Sequence, residues 1–219
     1  MIQLHYNPGS ANMAPHVVLH ELGLPFELVL VETEKQAHKT GDYLKLNPNG
    51  LVPVLVDGDL VLYEAAAICM HLADRVPAAG LAPALGTAER AHYYKWMVWL
   101  TNTLQATLIH YFYNERMVAP GNAAGAAEVK HAAQLKTGAL LEQIEAQLAG
   151  HGQPWLLGEA YSAVDAYCFM LCRWTRNFAG PAAAPARTKP AIAAYMERMM
   201  ARPAVQKMVA AEGLQPPLY

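Results

Sequence analysis

All the strand-like segments of this sequence lie in its first third, and every later periodic segment has the spacing of a helix. The most specific strand signal is a pair of β-rich runs, residues 52–56 and 60–62, joined by Asp57-Gly58-Asp59. An Asp-Gly step between two such runs predicts a β-hairpin. The chain therefore combines a small sheet near its start with a long all-helical remainder.

The residues before the hairpin complete an α/β pattern. Alternation predicts a strand over 2–6, and a run rich in Val and Leu predicts another over 26–31, with residues of helical spacing over 14–22 between them. Strand, helix and strand in this order favour a parallel βαβ unit. A short helix is predicted to end at 47–50, and another covers 64–74. The order β-α-β-α-β-β-α is that of a thioredoxin-like domain.

A change of composition separates this part from the rest. Residues 76–83 are rich in Pro, Ala and Gly, which indicates a linker. We predict one domain over residues 1–76, a linker over 77–86 and an all-α domain over 87–219. The predicted helices of the second domain cover residues 89–117, 124–148, 162–178, 190–201 and 203–211, and Gly180–Ala186 is predicted as a surface loop.

Composition excludes several classes of function. The net charge of −2 gives no general attraction to nucleic acid or to an anionic membrane. Apolar runs are interrupted before they reach the length of a membrane span, and the first residues lack the pattern of a secretory signal. We expect a cytoplasmic protein. Cys69, Cys168 and Cys172 form no CxxC pair and are expected to be buried thiols.

Two local patterns have structural interpretations. Ser162-Ala163-Val164-Asp165 precedes an apolar run and predicts a capping box at a helix start, in which Asp takes the usual place of Glu. His16 and His20 share helical spacing, but no third ligand lies near them in sequence, so no metal site is expected.

Four motifs in order carry a family resemblance. They are Tyr6-Asn7-Pro8-Gly9-Ser10-Ala11-Asn12-Met13-Ala14-Pro15-His16, Asn47-Pro48-Asn49-Gly50-Leu51-Val52-Pro53-Val54-Leu55, Tyr63-Glu64-Ala65-Ala66-Ala67-Ile68 and Ser162-Ala163-Val164-Asp165. Together with the two-domain pattern they resemble the cytosolic glutathione transferases, and the first motif is most similar to bacterial enzymes near the beta class. The resemblance implies a thioredoxin-like α/β N-terminal domain, an all-α C-terminal domain and glutathione as co-substrate.

The resemblance also implies how glutathione is held. Val52, before a cis Pro53, would pair its backbone with the cysteinyl part of the tripeptide. Glu64 would bind the γ-glutamyl ammonium, unless it only steadies the helix that follows. Ala65 replaces the usual Ser or Thr, which leaves the backbone amide but removes a hydroxyl donor. Lys39 or Lys35 would reach the glycyl carboxylate, although solvated surface lysines are the simpler interpretation.

Activation of the thiol is where this sequence departs from its relatives. Beta-class enzymes carry a Cys-Ser pair in the first loop, and Ala11 and Asn12 stand there instead. Three side chains remain as candidate donors to a thiolate. We rank Asn12 first by its alignment, Ser10 second with helix capping as its alternative, and Tyr6 third with packing as its alternative.

The electrophile is expected between the two domains, against the first long helix. Trp99, Thr103 and Gln105 are the candidate contacts there, and Gln105 stands where beta-class enzymes carry a histidine. The resemblance implies a homodimer that conjugates glutathione to small electrophiles in detoxification. A non-catalytic binding protein is the first alternative. A glutathione-dependent reductase or peroxidase is the second, against which the missing loop thiol argues.

Overall fold

The computed structural model describes residues 1–180, 182 and 184–219. The predicted loop Gly180–Ala186 includes Pro181 and Ala183, which lie outside the described residues. Four strands form one sheet in the order β2-β1-β3-β4, namely β1 (Ile2–Tyr6), β2 (Phe26–Leu30), β3 (Val54–Asp57) and β4 (Leu60–Tyr63). No helix in the described part of the chain is long and apolar enough to span a membrane.

The sheet has the predicted mixed topology. β1 runs parallel to β2 and antiparallel to β3, with Leu4 opposite Leu28 and Leu55. β3 and β4 form the predicted hairpin across Asp57–Leu60. Strand β3 begins at Val54 rather than Val52, after a proline that has no N–H to give to a ladder. The α/β N-terminal half of the predicted fold is confirmed.

Nine α-helices occur among the described residues. They are α1 (Met13–Leu22), α2 (Gly41–Leu46), α3 (Ala65–Arg75), α4 (Ala88–Trp99), α5 (Ala106–Phe112), α6 (Ala123–His151), α7 (Ala163–Trp174), α8 (Pro190–Ala201) and α9 (Pro203–Ala211). The all-helical second half is confirmed, and short 3-10 turns occupy several of the connections.

Helix α1 joins the two halves. It packs against α3 beside the sheet, and also against α7 and α9 of the helical half. Its side chains from Met13 to Leu19 are all buried. One apolar core therefore runs through both halves, and the loop that precedes α1 lies at their junction.

The predicted helix over 89–117 is helical as far as Phe112, but it contains a π-helical turn in its middle and ends before residue 117. Helix α4 ends at Trp99, a π-helical turn covers Leu100–Gln105, and α5 follows. The hydroxyl of Thr107 donates to the carbonyl of Thr103 at 2.7 Å, and the hydroxyl of Thr101 donates to that of Met97 at 3.2 Å. Hydroxyls that bond to carbonyls one turn back compete with the regular helical ladder. Wide turns of this kind are frequent at functional sites.

The capping box at the start of α7 forms as predicted. The carboxylate of Asp165 accepts from the N–H of Ser162 at 2.8 Å and from the N–H of Leu156 at 2.9 Å. Burial raises the pKa of Asp165 to about 6, against the opposing effect of these backbone hydrogen bonds. The box therefore fixes the approach of the preceding loop as well as the helix start. All three cysteines are buried and free, as predicted.

Candidate active site

The first loop connects β1 to α1 and carries the three candidate thiol-activating residues. Its turn closes where the N–H of Ser10 donates to the carbonyl of Asn7 at 3.1 Å, and the N–H of Met13 then donates to the carbonyl of Ser10 at 3.1 Å. The hydroxyl of Ser10 accepts from the side-chain amide of Asn7 at 3.4 Å, so its own proton remains free to donate.

Glu212, at the end of α9, holds this loop from the far end of the chain. Its buried carboxylate accepts from the N–H of Gly9 and from the side-chain amide of Asn12, both at 2.8 Å. It also lies 2.8 Å from Nδ1 of His16. Three partners at 2.8 Å around one buried carboxylate make a rigid anchor, because ionised acceptors form the stronger hydrogen bonds.

Two residues at the end of α7 contact this loop and the start of α1. The indole N–H of Trp174 donates to the carbonyl of Gly9 at 3.0 Å. The buried guanidinium of Arg173 contacts the sulfur of Met13 at 4.0 Å. Burial, with a smaller contribution from Arg176, lowers the pKa of Arg173 to about 10, and Glu212 opposes the shift. A positive charge thus lies beneath the first loop.

The candidates in this loop differ in accessibility. The side chain of Asn12 is fully buried, and its amide oxygen accepts from the N–H of Asn7 at 3.1 Å while its nitrogen donates to Glu212. Ser10 and Tyr6 are half-buried. Among the described residues, no acceptor pairs with the backbone N–H of Ala11 or Asn12, which precede the first turn of α1.

A second segment, residues 47–53, leads into the sheet next to this loop. The peptide bond between Val52 and Pro53 is cis, as predicted. The carbonyl of Leu51 accepts from the side-chain amide of Asn47 at 2.8 Å and from the hydroxyl of Tyr43 at 2.9 Å. Burial raises the pKa of Tyr43 to about 12, which keeps this donor protonated.

The backbone of Val52 is left for another partner. No turn, loop or cap hydrogen bond in the described part of the chain uses its N–H or its carbonyl. A half-buried residue with unpaired main-chain groups can take up an extended peptide.

Lys39 and Gly50 fix the approach to Val52. The ammonium of Lys39 donates to the carbonyl of Gly50 at 3.0 Å and to that of Asn49 at 3.3 Å. Gly50 has a φ of 58°, and a Cβ there would lie 2.7 Å from the carbonyl of His38. Lys35, the other lysine considered, is paired with Glu32 on the surface.

Glu64 stands immediately before α3 in a strained conformation. Its φ of 71° is unusual for a residue with a side chain, and such strain is typical of binding sites. The side chain is exposed, whereas Ala65 and Ala66 behind it are buried. The backbone N–H groups of Ala65 and Ala66 have no intrahelical acceptor, because they open the helix. An acidic residue therefore adjoins free backbone amides at the start of α3.

The π-helical turn carries two of the three candidate electrophile contacts. Thr103, Gln105 and the preceding Trp99 are all half-buried. The hydroxyl of Tyr167, on α7, donates to the side-chain carbonyl of Gln105. Burial raises the pKa of Tyr167, with smaller contributions from Cys69 and Glu64. Since the amide oxygen of Gln105 is taken, its NH2 group is the part left to contact a ligand.

Comparisons with known proteins agree with this geometry. The family model "Glutathione S-transferase, N-terminal domain" matches residues 13–75, and "Glutathione S-transferase, C-terminal domain" matches residues 101–203. The chain is 32% identical to glutathione S-transferase GST-4.5 of Xanthomonas campestris pv. campestris, over 97% of this chain and 100% of that protein.

Solved structures are similar along the whole chain. A glutathione transferase homolog from Sulfitobacter, with bound glutathione, has a TM-score of 0.86 and 27% identity, covering 98% of this chain and 99% of that one. The beta-class glutathione S-transferase of Sphingomonas chungbukensis has a TM-score of 0.81 and 28% identity, covering 97% and 100%. These similarities confirm the predicted fold and the resemblance to bacterial beta-class members.

The sequence alone did not predict several residues of this site, among them Glu212, Trp174 and Tyr167. Glu212 and Trp174 reach the first loop from more than 160 positions away. For Tyr167 the sequence gives one signal: it lies two positions after Asp165 of the capping box, and therefore near the start of the helix that the box predicts.

Proposed function

The chain belongs to the glutathione S-transferase family and uses glutathione as its co-substrate, and from this premise we propose how it activates the thiol. Ser10 and the start of α1 stabilise the thiolate, whose sulfur then bonds to a small electrophile while the leaving group departs with its electron pair. The observation that carries this proposal is the set of unpaired donors in one loop: the Ser10 hydroxyl and the N–H groups of Ala11 and Asn12. The helix dipole of α1 adds to their effect.

Ser10 takes precedence over Asn12 in this proposal. The amide of Asn12 is buried and already bonded to Glu212, so its side chain acts as a brace for the loop. Its backbone N–H still contributes as a donor. Tyr6 remains third, because its position at the end of β1 is half-buried and no hydrogen bond in the described part of the chain orients its hydroxyl.

Four further groups are proposed to bind glutathione. The backbone of Val52, turned by the cis bond to Pro53, pairs with the cysteinyl part. Glu64 binds the γ-glutamyl ammonium, and the N–H of Ala65 binds the neighbouring carboxylate. The ammonium of Lys39 has three N–H donors, of which two bond to the carbonyls of Asn49 and Gly50, so one is left for the glycyl carboxylate.

The proposed electrophile site lies along the π-helical turn. Trp99 and Thr103 offer an apolar and a polar contact, and Gln105 offers its NH2 group. Tyr167 acts as a positioning residue, because its hydrogen bond engages the side-chain oxygen of Gln105 and leaves the NH2 group for the electrophile. We propose that residues 1–76 hold glutathione and residues 87–219 the electrophile, with 77–86 between them. Detoxification in the cytoplasm is the role that fits this arrangement.

We propose a homodimer on the evidence of exposed apolar side chains. Leu60 and Val61 on the edge strand β4 are 39% and 40% exposed, and Tyr94 and Val98 on α4 are 42% and 53% exposed. Edge strands with exposed apolar residues are normally covered. Light scattering should give twice the chain mass, and Val98→Glu should give the monomer. Leu135→Glu, a change at an equally exposed position on α6, is the control.

The test of the catalytic proposal is a titration of the glutathione thiolate absorbance with the protein in excess. We expect the pKa of the bound thiol to fall by about 2 units, which corresponds to about 2.7 kcal/mol of preference for the thiolate. Conjugation of an activated aryl halide should rise with pH through the same value. An unshifted thiol on tightly bound glutathione, together with no turnover, would instead support a binding protein.

A further inference from the structure

Arg173, in the last turn of α7, is a buried cation without a counter-charge in contact with it. Only 2% of its surface is exposed. Within the described residues, its Nε is buried without a hydrogen-bond partner, and its guanidinium forms no ion pair. The dipole of α7 favours a cation at this end of the helix, but it does not require a buried one. Charged side chains are almost never fully buried unless they are paired.

We propose that the charge of Arg173 stabilises the thiolate of bound glutathione from beneath the first loop, without touching it. This inference rests on the proposed function, since it assumes a thiolate held at Ser10 and the start of α1. The thiol proton passes to bulk water, and the guanidinium keeps its own. Burial lowers the pKa of Arg173 to about 10, so the side chain still carries its charge at neutral pH.

Gly9 is the part of the first loop that lies next to this guanidinium. A Cβ on Gly9 would be 3.8 Å from Nη1 of Arg173. Ser10 follows in the chain, so standard backbone dimensions place its hydroxyl no more than about 12 Å from that nitrogen. Two unit charges at such a distance, with an effective dielectric constant of about 20, change an ionisation equilibrium by roughly tenfold. The charge of Arg173 is therefore close enough to favour the thiolate measurably.

The neighbouring charges do not cancel that of Arg173. In the described part of the chain, the charged groups that act on it are Arg176 and Glu212. Glu212 has its carboxylate bonded to two N–H donors of the first loop and lies 2.8 Å from Nδ1 of His16, the other titratable group there. Arg176 is half-buried and donates to the carbonyl of Arg173 at 3.3 Å. Two guanidinium groups thus accompany one carboxylate, and an anion above the loop would balance the excess.

The test compares variants that remove or keep this charge, by titration of the thiolate absorbance of glutathione with the protein in excess. Arg173→Met should raise the pKa of the bound thiol by about 1 unit, and Arg173→Lys by less than about 0.5 unit. Arg187→Met, at an exposed arginine, is the control and should leave it unchanged. The Kd for S-methylglutathione, which has no thiol to ionise, should be equal in all four proteins. Arg173→Met should be at least as stable as the wild type to denaturant, because it removes a buried, unpaired charge.

Three results would overturn the role of Arg173. They are a thiol pKa that Arg173→Met does not change, equal changes in the Met and Lys variants, and a loss of stability and of S-methylglutathione affinity that accompanies the pKa change in Arg173→Met. The last result would mean that the side chain only supports the loop. An unshifted thiol in the wild type itself would overturn the proposed function, and the role of Arg173 with it, so the two failures are distinguishable.

Discussion

The two loops proposed to bind glutathione are stabilised in opposite ways. Segment 47–53 is held by close neighbours in sequence, since Asn47 and Tyr43 both donate to the carbonyl of Leu51, at most eight positions away. The first loop is held from the distant end of the chain by Glu212 and Trp174. One half of the proposed site is therefore encoded locally, whereas the half proposed to activate the thiol depends on the completed two-domain fold.

The largest effect is expected for Glu212→Ala, which removes the distant support of the first loop. The substitution leaves the N–H of Gly9, the amide of Asn12 and Nδ1 of His16 without their common acceptor. Losing one member of a buried charged network costs about 3–5 kcal/mol of unfolding free energy. We expect Tm to fall on the order of 10 °C, measured by calorimetry.

Glu197→Ala on α8 is the matched control for that change, because the acid is exposed. It should alter the unfolding free energy by less than about 0.5 kcal/mol. Equal stability of the Glu212 and Glu197 variants would show that the distant anchor contributes nothing and would remove the contrast.

The substitution Glu64→Ala tests the half of the proposed glutathione site that is encoded by residues close in sequence. The carboxylate is exposed and stands before α3, so its loss should affect ligand affinity much more than stability. Removing a hydrogen bond to a charged group costs about 1.5–3 kcal/mol, or a ten- to hundredfold rise in the Kd for glutathione. Isothermal calorimetry measures this rise.

The exposed hairpin acid provides the reference for Glu64. Asp59→Ala should leave the Kd for glutathione unchanged, since Asp59 lies in the turn between β3 and β4. A Glu64 variant that binds as tightly as the Asp59 variant would mean that the acid only steadies the helix.

The same contrast explains what could be predicted from sequence. The hairpin at Asp57-Gly58, the cis bond at Pro53 and the capping box at Ser162 depend on neighbouring residues, and the structure has all three. The burial of Asn12 depends on Glu212, which is 200 positions away. Ranking donors by alignment therefore favoured a side chain whose amide the fold had already engaged.

The π-helical turn at Leu100–Gln105 escaped prediction for a different reason. Its residues keep a helical apolar pattern, with Leu100 and Leu104 buried four positions apart, so periodicity alone gives a continuous helix. The hydrogen bond from the hydroxyl of Thr107 to the carbonyl of Thr103 does not alter the spacing of apolar residues in the sequence. Tyr167, the hydrogen-bond partner of Gln105, lies on α7, so this contact depends on how two separate helices pack.

Two variants within the first loop separate thiol activation from support of the loop. Ser10→Ala should raise the pKa of the bound glutathione thiol by about 1 unit, equal to about 1.4 kcal/mol, because one donor to the thiolate is lost. Its unfolding free energy should change by less than about 0.5 kcal/mol. Thiolate absorbance and denaturant unfolding measure the two quantities.

Asn12→Ala should give the reverse pattern. The unfolding free energy falls by about 1–3 kcal/mol, since Glu212 and the N–H of Asn7 lose a buried partner. The thiol pKa should move less than in Ser10→Ala, because the backbone N–H of residue 12 remains. A larger pKa change for Asn12→Ala than for Ser10→Ala would restore Asn12 as the activating side chain.

The smallest expected effect is a gain, from Ala65→Ser. The start of α3 offers backbone amides but no hydroxyl, and Ala65 is 6% exposed. A serine there adds one donor to the γ-glutamyl carboxylate, and a typical added hydrogen bond is worth about 1 kcal/mol, or about fivefold in the Kd for glutathione. Ala67→Ser, two positions further along the same helix, is the control that should leave affinity unchanged. Tighter binding by Ala65→Ser alone would show that local sequence suffices to tune this half of the site, whereas equal affinity would mean that the backbone amides already satisfy the carboxylate.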